Sequence, residues 1–182
     1  MPRNNPSGAD NQQGRLLKTD LAWLAGHFDG DGWIGLSRVA RNTHPGQTRY
    51  VAGMVCVSTS ARNINRISEV LHAMQVKHYL VENKPKVGSD GSYRKRKWQI
   101  SVVSHREVTK ALKLLLPFLA EKRPQAQAVL DYLNWRLKQP RSPGGKKGER
   151  TPGMVDRAEA TITFLKSDRN REEPSETARL AS

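Results

Sequence analysis

Two aspartates, Asp29 and Asp31, alternate with glycines at the end of the segment Leu21-Ala22-Trp23-Leu24-Ala25-Gly26-His27-Phe28-Asp29-Gly30-Asp31-Gly32-Trp33-Ile34. Where a helix ends, unpaired carbonyls and the negative pole of its dipole gather. Carboxylates placed there concentrate oxygen ligands suited to a hard cation such as Mg2+. Ala22, Gly26 and Gly30 recur at every fourth position, leaving one helix face nearly bare over ~12 Å of rise. Another backbone can approach such a face closely. The plain alternative for Asp-Gly-Asp-Gly is an acidic turn after a glycine-terminated helix; the bare face before it argues for more.

The elements that must position these groups follow from pattern. Thr19 is placed to cap a helix through Leu21, Leu24, Ala25 and Phe28, ended by Gly30 and Gly32. Trp33 to Arg41 alternates, and Pro45 and Gly46 mark a turn before a strand from Thr48 to Val57. Ser60 caps a second helix with the stripe Ile64, Ile67, Leu71 and Met74. His78 to Val87 and Tyr93 to Val103 flank Gly88-Ser89-Asp90-Gly91, predicting a long hairpin. Ser104-His105-Arg106-Glu107 reads as a capping box for a third helix with Val108, Ala111, Leu112 and Leu115 buried, and Pro117 stops it. Pro124 opens a fourth, striped by Ala126, Val129, Leu130, Leu133 and Leu137. A last helix is expected from Met154 to Leu165. The fold class is α+β, αββαββα, with a four-stranded antiparallel sheet covered by helices on one face. The divisions are a flexible tail over 1–18, a core domain over 19–138, a basic linker over 139–153, and a C-terminal helix and tail over 154–182.

Composition names the partner class. The 182 residues hold 31 Lys and Arg against 17 Asp and Glu, a net charge of +14 with a pI near 10.3. Nucleic acid suits such a chain, because neutralised phosphates release condensed counterions. The lone Cys56 builds neither a disulfide framework nor a Cys-rich zinc site. The apolar run from Leu112 to Ala120 is broken by Lys113 and Pro117 and is far shorter than the ~20 residues of a membrane span. No membrane partner is expected. Residues 1–15 show no signal-peptide core, so an intracellular location is expected: an organelle (chloroplast or mitochondrion) or the bacterial cytoplasm.

Leu24 to Gly32 resembles the LAGLIDADG signature of homing endonucleases, and the order of segments from Thr19 onward is similar to that family. Leu116-Pro117-Phe118-Leu119, Lys122, Gln125-Ala126, Val129-Leu130 and Ser175-Glu176-Thr177 resemble its homodimeric, group I intron-encoded branch. The resemblance implies that Ala22, Gly26 and Gly30 line a two-fold helix interface. It implies that Asp31, with the Gly30 carbonyl, holds Mg2+, a site that Mn2+ or Ca2+ can also occupy. Lys122 aligns with the family's active-site lysine, its alternative being a surface lysine. Asp29 is left between capping the helix end and a ligand role, and His27 between an interface imidazole and a general base. Where relatives place a Gln and an Arg after the second strand, this chain has Thr59 and Asn63, with Arg62 adjacent; these three are candidate pocket residues.

Strand parity then gives a candidate reading surface for double-stranded DNA. Trp98, Ile100 and Val102 share one face of the last strand, and Lys95, Lys97, Gln99 and Ser101 the other. Lys suits guanine or phosphate, and Gln suits adenine. Gly35, Ser37 and Arg41 oppose Ile34 and Leu36, and Tyr50 is a contact expected on the second strand. Lys84 and Lys86 extend the positive strip. Arg169, Arg171, Lys138, Arg141, Lys146 and Lys147 are candidates for the phosphate backbone. The expected activity is metal-dependent double-strand cleavage of a long pseudo-palindromic site with short 3′ overhangs. The alternatives are an RNA maturase for group I intron splicing and a non-cutting DNA-binding regulator on the same scaffold.

Overall fold

The computed structural model describes residues 16–40, 48–87, 91–139 and 153–172. Along them run α1 (Lys18–Asp31), β1 (Gly32–Ala40), β2 (Thr48–Ser58), α2 (Ala61–Ala73), β3 (Tyr79–Asn83), β4 (Lys86–Val87), β5 (Tyr93–Arg94), β6 (Lys97–Val102), α3 (His105–Leu115), α4 (Arg123–Lys138) and α5 (Met154–Glu172). Several sequence expectations lie outside the described residues: most of the N-terminal tail, Arg41, the turns at 45–46 and 88–90, residues 140–152 with Arg141, Lys146 and Lys147, and Ser175-Glu176-Thr177. So do the side chains of Lys86, Arg169 and Arg171.

Leu21, Leu24, Ala25 and Phe28 fall at i, i+3, i+4 and i+7 of α1 and are buried, so one stripe of the helix enters the core. The helix starts before the expected Thr19 cap. Leu17 is its N-cap, and the Leu17 N–H donates to Asp20 Oδ2 at 3.2 Å, so a first-turn carboxylate does the capping. The helix ends at Asp31 with Gly32 as its C-cap, within the Gly30–Gly32 stretch expected to end it. Gly32 then enters β1 in extended backbone, passing so close to Phe28 that a Cβ at Gly32 would stand 2.6 Å from the Phe28 Cα. Ser60 caps α2 as expected, its Oγ accepting from the Asn63 N–H at 3.3 Å.

The four-stranded sheet has the order β1-β2-β6-β3, antiparallel throughout. Ile34, Leu36, Ala52, Met54, Cys56, Ile100 and Val102 form its buried face, covered by the helical stripes of Ile64, Ile67, Leu71, Val108, Leu112 and Leu115. The long hairpin expected between 78 and 103 is divided. Lys84-Pro85 on one side and Lys95-Arg96 on the other interrupt the pairing, so β4 and β5 form a separate two-stranded ribbon beyond β3 and β6. Proline cannot donate to a ladder, which accounts for the break at Pro85.

Three further expectations are corrected. Ser104 is the N-cap of α3 but makes no side-chain cap, and Glu107, the other half of the expected box, accepts the Lys77 N–H at 3.0 Å. Leu137, expected in the buried stripe of α4, is exposed near the helix end. Tyr50, expected on the DNA face, is 7% exposed on the helix-covered face. It shares its parity with Ala52 and Met54 and pairs with Arg38 across the β1–β2 ladder.

The last helix is longer than expected and is packed down. Ala158 and Leu165 join the core, and the Arg157 guanidinium lies 5.1 Å from the Trp135 ring centre on α4. Glu159 reaches the sheet, accepting from Arg38 Nε at 3.1 Å, from Arg38 Nη2 at 2.5 Å and from the Tyr50 hydroxyl. The Arg38 hydrogen bond, followed by that of Tyr50, holds the Glu159 carboxyl below its ordinary value. A depressed native value stabilises the fold above the unfolded pKa, near 4.5, and that stabilisation is lost as pH falls through the native value. The melting temperature of Glu159→Gln should therefore lie below wild type at neutral pH, with the gap closing in acid. Thermal melts across pH check this; a gap that stays constant well below pH 4.5 would refute it.

Candidate active site and nucleic-acid interface

The end of α1 is locked to the start of α4 through both of its charged neighbours. The Asp29 carboxylate accepts the backbone N–H groups of Ala120 at 2.8 Å and Lys122 at 2.9 Å. In return the Lys122 ammonium donates to the carbonyls of Asp29 and, at 3.3 Å, of Gly30. Both contacts follow from helix ends: terminal carbonyls lack intrahelical partners and favour a cation, while N–H groups entering a helix favour an anion. Asp29 is thus engaged in positioning. Asp31 is exposed and makes no ion pair among the described residues.

Cys56 pairs with Gly32 across the ladder and lies close enough to sense both Asp31 and Lys122. Burial pushes its thiol up to about 11, with the Asp31 charge adding to the shift and Lys122 opposing it. The thiol stays protonated at neutral pH and is no nucleophile. Among the described residues no three His, Cys, Asp or Glu side chains gather around one point. Beside the Asp29 oxygens already engaged with Ala120 and Lys122, this helix end offers the Asp31 carboxylate and the Gly30 carbonyl. Such a donor set fits Mg2+, which keeps several waters and takes one or two carboxylates, better than zinc, which prefers nitrogen and sulfur.

Thr59 is exposed just past β2, and Arg62 and Asn63 are exposed in the first turn of α2. Arg62 and Asn63 line a cleft of about 720 Å3 with Thr19, Asp20, Trp23 and Arg66, and neither Asp31 nor Lys122 borders it. Ala22, Gly26 and Gly30 are all exposed on α1. A Cβ at Gly26 or Gly30 would meet nothing within 4 Å, so packing inside this chain does not require glycine at either position. With Trp23, His27 and Asp31 they line a shallow groove of about 410 Å3. The His27 ring stands edge-on to Trp23 at 4.3 Å.

The uncovered sheet face carries Ser37, Lys97, Gln99 and Ser101, with the Gln99 amide donating to Ser101 Oγ at 3.0 Å. Lys84 and Lys95 are exposed in the connections beside β3 and β6, and Lys138 at the end of α4. Gly35 has the expected parity but is buried beneath the Trp33 indole, so no base edge can reach it directly. Arg49 takes the place expected of Tyr50: it is exposed and opposite Val39 on the free face. The sequence carries little signal for this, since β2 is apolar on both parities from Tyr50 to Val57. The Trp33 contact depends on cross-strand register and carries none.

No family model matches the chain, and no curated protein matches it. Among solved structures it is similar to the homing endonuclease I-CvuI in complex with the I-CreI target in the presence of Mg, at 21% identity and a TM-score of 0.59, covering 82% of each chain. It is also similar to the archaeal intron-encoded homing endonuclease I-Vdi141I complexed with DNA (14% identity, TM-score 0.58, 82% of this chain and 84% of that one). A third is the homing endonuclease I-TnaI (13% identity, TM-score 0.51, 83% and 99%). The chain has the LAGLIDADG homing-endonuclease fold.

Asp29 and Asp31 should separate cleanly in stability. Asp29→Ala leaves two backbone donors without their acceptor and should cost about 1–3 kcal/mol. Asp31→Asn, at an exposed position, should stay within about 0.5 kcal/mol of wild type. Urea denaturation of both variants measures this, and equal losses would contradict the division of roles.

Proposed function

We propose that this chain is a site-specific DNA endonuclease that acts as a homodimer with a divalent cation. One observation carries the reading: Asp31 stands exposed at the end of a bare helix face, beside Lys122 and at the margin of an uncovered sheet. A single chain supplies one such carboxylate there. Pairing two α1 helices through Ala22, Gly26 and Gly30 brings a second Asp31 to the first and sets two sheets side by side along a pseudo-palindromic duplex. The DNA complexes of I-CvuI and I-Vdi141I support the choice of ligand.

Asp31 and the Gly30 carbonyl would hold the cation, which when bound supplies water activation and charge for the departing 3′ oxygen. Lys122 faces the phosphate from the opening of α4, where an anion is favoured, and its ammonium neutralises charge developing on the phosphoryl oxygens. Asp29 fixes the backbone that carries this lysine. Lys97, Arg49 and the flanking lysines hold and orient the duplex, and cleavage leaves short 3′ overhangs. A second reading, a non-cutting DNA binder, is favoured by one contact: Lys122 already donates to the Gly30 carbonyl that a cation would use.

Incubation with a randomised duplex library and Mg2+ should yield site-specific double-strand cuts that EDTA and Asp31→Asn both abolish while binding persists. Binding without cutting would select the second reading. Gly26→Leu should leave the fold intact, since its face is open, yet convert a dimer to a monomer in light scattering. A wild-type monomer on DNA would overturn the dimeric part.

A further inference from the structure

The uncovered sheet face is basic around its edge but apolar in its middle. Trp33, Val51, Val55 and Val57 turn to this face and are half-buried; Val81 beside them is 49% exposed and Tyr79 65%. The Trp33 indole lies flat because Gly35 and Gly53, paired across β1 and β2, give it room. A Cβ at Gly35 would stand 2.6 Å from its ring, and one at Gly53 3.1 Å. Two facing glycines thus make the indole part of the floor. Three polar residues lie within it: Gln99 and Ser101, which bond to each other, and Ser37 beside Val51. The exposed cations Arg49, Lys84, Lys95 and Lys97 stand at the margins.

We infer that this floor reads A·T pairs through the C5-methyl groups of thymine in the major groove. The inference rests on the DNA-binding reading above. Cations at the margin match the phosphate rails of a duplex, which places the floor against base edges. Valine offers no partner for guanine O6 and N7 or for the cytosine amine, and the indole offers only the single Nε1–H at its edge, so G·C pairs pressed against the valines would lose hydrogen bonds to water without replacement. The thymine methyl is the one apolar group that the major groove offers. From Val51 to Val57 the floor spans about 20 Å, roughly six base-pair steps. Each half-site should therefore be A·T-rich over the floor, with guanine admitted where Arg49 and Lys97 reach.

The test uses the full-length protein and the duplex recovered from the randomised library, with thymine replaced by deoxyuridine one position at a time. That change removes only the methyl group. Binding should weaken about fourfold at each floor position, the effect of losing one buried methyl, and at few positions outside it. Val55→Thr, which keeps the side-chain shape but adds a hydroxyl, should reduce the uracil penalty at one of those positions. Specific binding that ignores uracil everywhere, or recovered sites rich in G·C across each half, would overturn this inference alone. Absence of any sequence-specific DNA binding would overturn it together with the function proposed above.

Discussion

The arrangement depends on how α1 ends. Its last carbonyls point out of the helix with no partner of their own, and the chain must turn at once into β1. Lys122 satisfies two of those carbonyls, and Asp29 takes the N–H groups of the segment that delivers Lys122. Each of the two residues holds the other's backbone in place, so removing either releases both. Gly32 is the remaining condition, since the strand can leave the helix only by passing against Phe28. The exposed carboxylate of Asp31 and the first residues of the sheet are positioned by the same few contacts.

From that junction the division of the sheet into two faces follows. β1 leaves with Ile34 and Leu36 turned to the helices, and the ladder transmits this parity to β2, β6 and β3. The helices cover one side over β1, β2 and β6, with Leu24, Phe28, Ile64, Ile67, Leu112 and Leu115 at 0% exposure, while Leu80 of the edge strand β3 stays 47% exposed. The far end of β1 is held from below by α5, through Glu159 on Arg38 and Tyr50. The open face is consequently backed by packed side chains on its other side.

Much of this was legible in the residues. The helices announced themselves by apolar stripes at helical spacing, and the family signature located Asp31 and the bare face. The alternation in β6 was also clear, because the polar Lys97, Gln99 and Ser101 alternate with Trp98, Ile100 and Val102. In β2 it was not: Arg49-Tyr50-Val51-Ala52-Gly53-Met54-Val55-Cys56-Val57 is apolar on both parities, which is why the sequence expectation puts Tyr50 on the wrong face. Half of the capping box at Ser104 was lost to a tertiary partner, the Lys77 N–H, which took its glutamate. The Trp33 contact with two glycines, one of them on the neighbouring strand, exists only once the register is fixed.

The same ambiguity in β2 bears on function. A strand apolar on both faces ordinarily belongs inside a protein, covered on each side, yet here one face is open and ringed by cations. Charge at the rim and apolar groups in the middle divide the labour that any sequence-reading surface must perform. Contacts to phosphate give affinity and orientation without reference to sequence, whereas the middle of the surface meets base edges. A net charge of +14 favours any polyanion without reference to its sequence. Discrimination has to come from what the cations do not cover, and on this sheet that is indole and valine with Ser37, Gln99 and Ser101 among them.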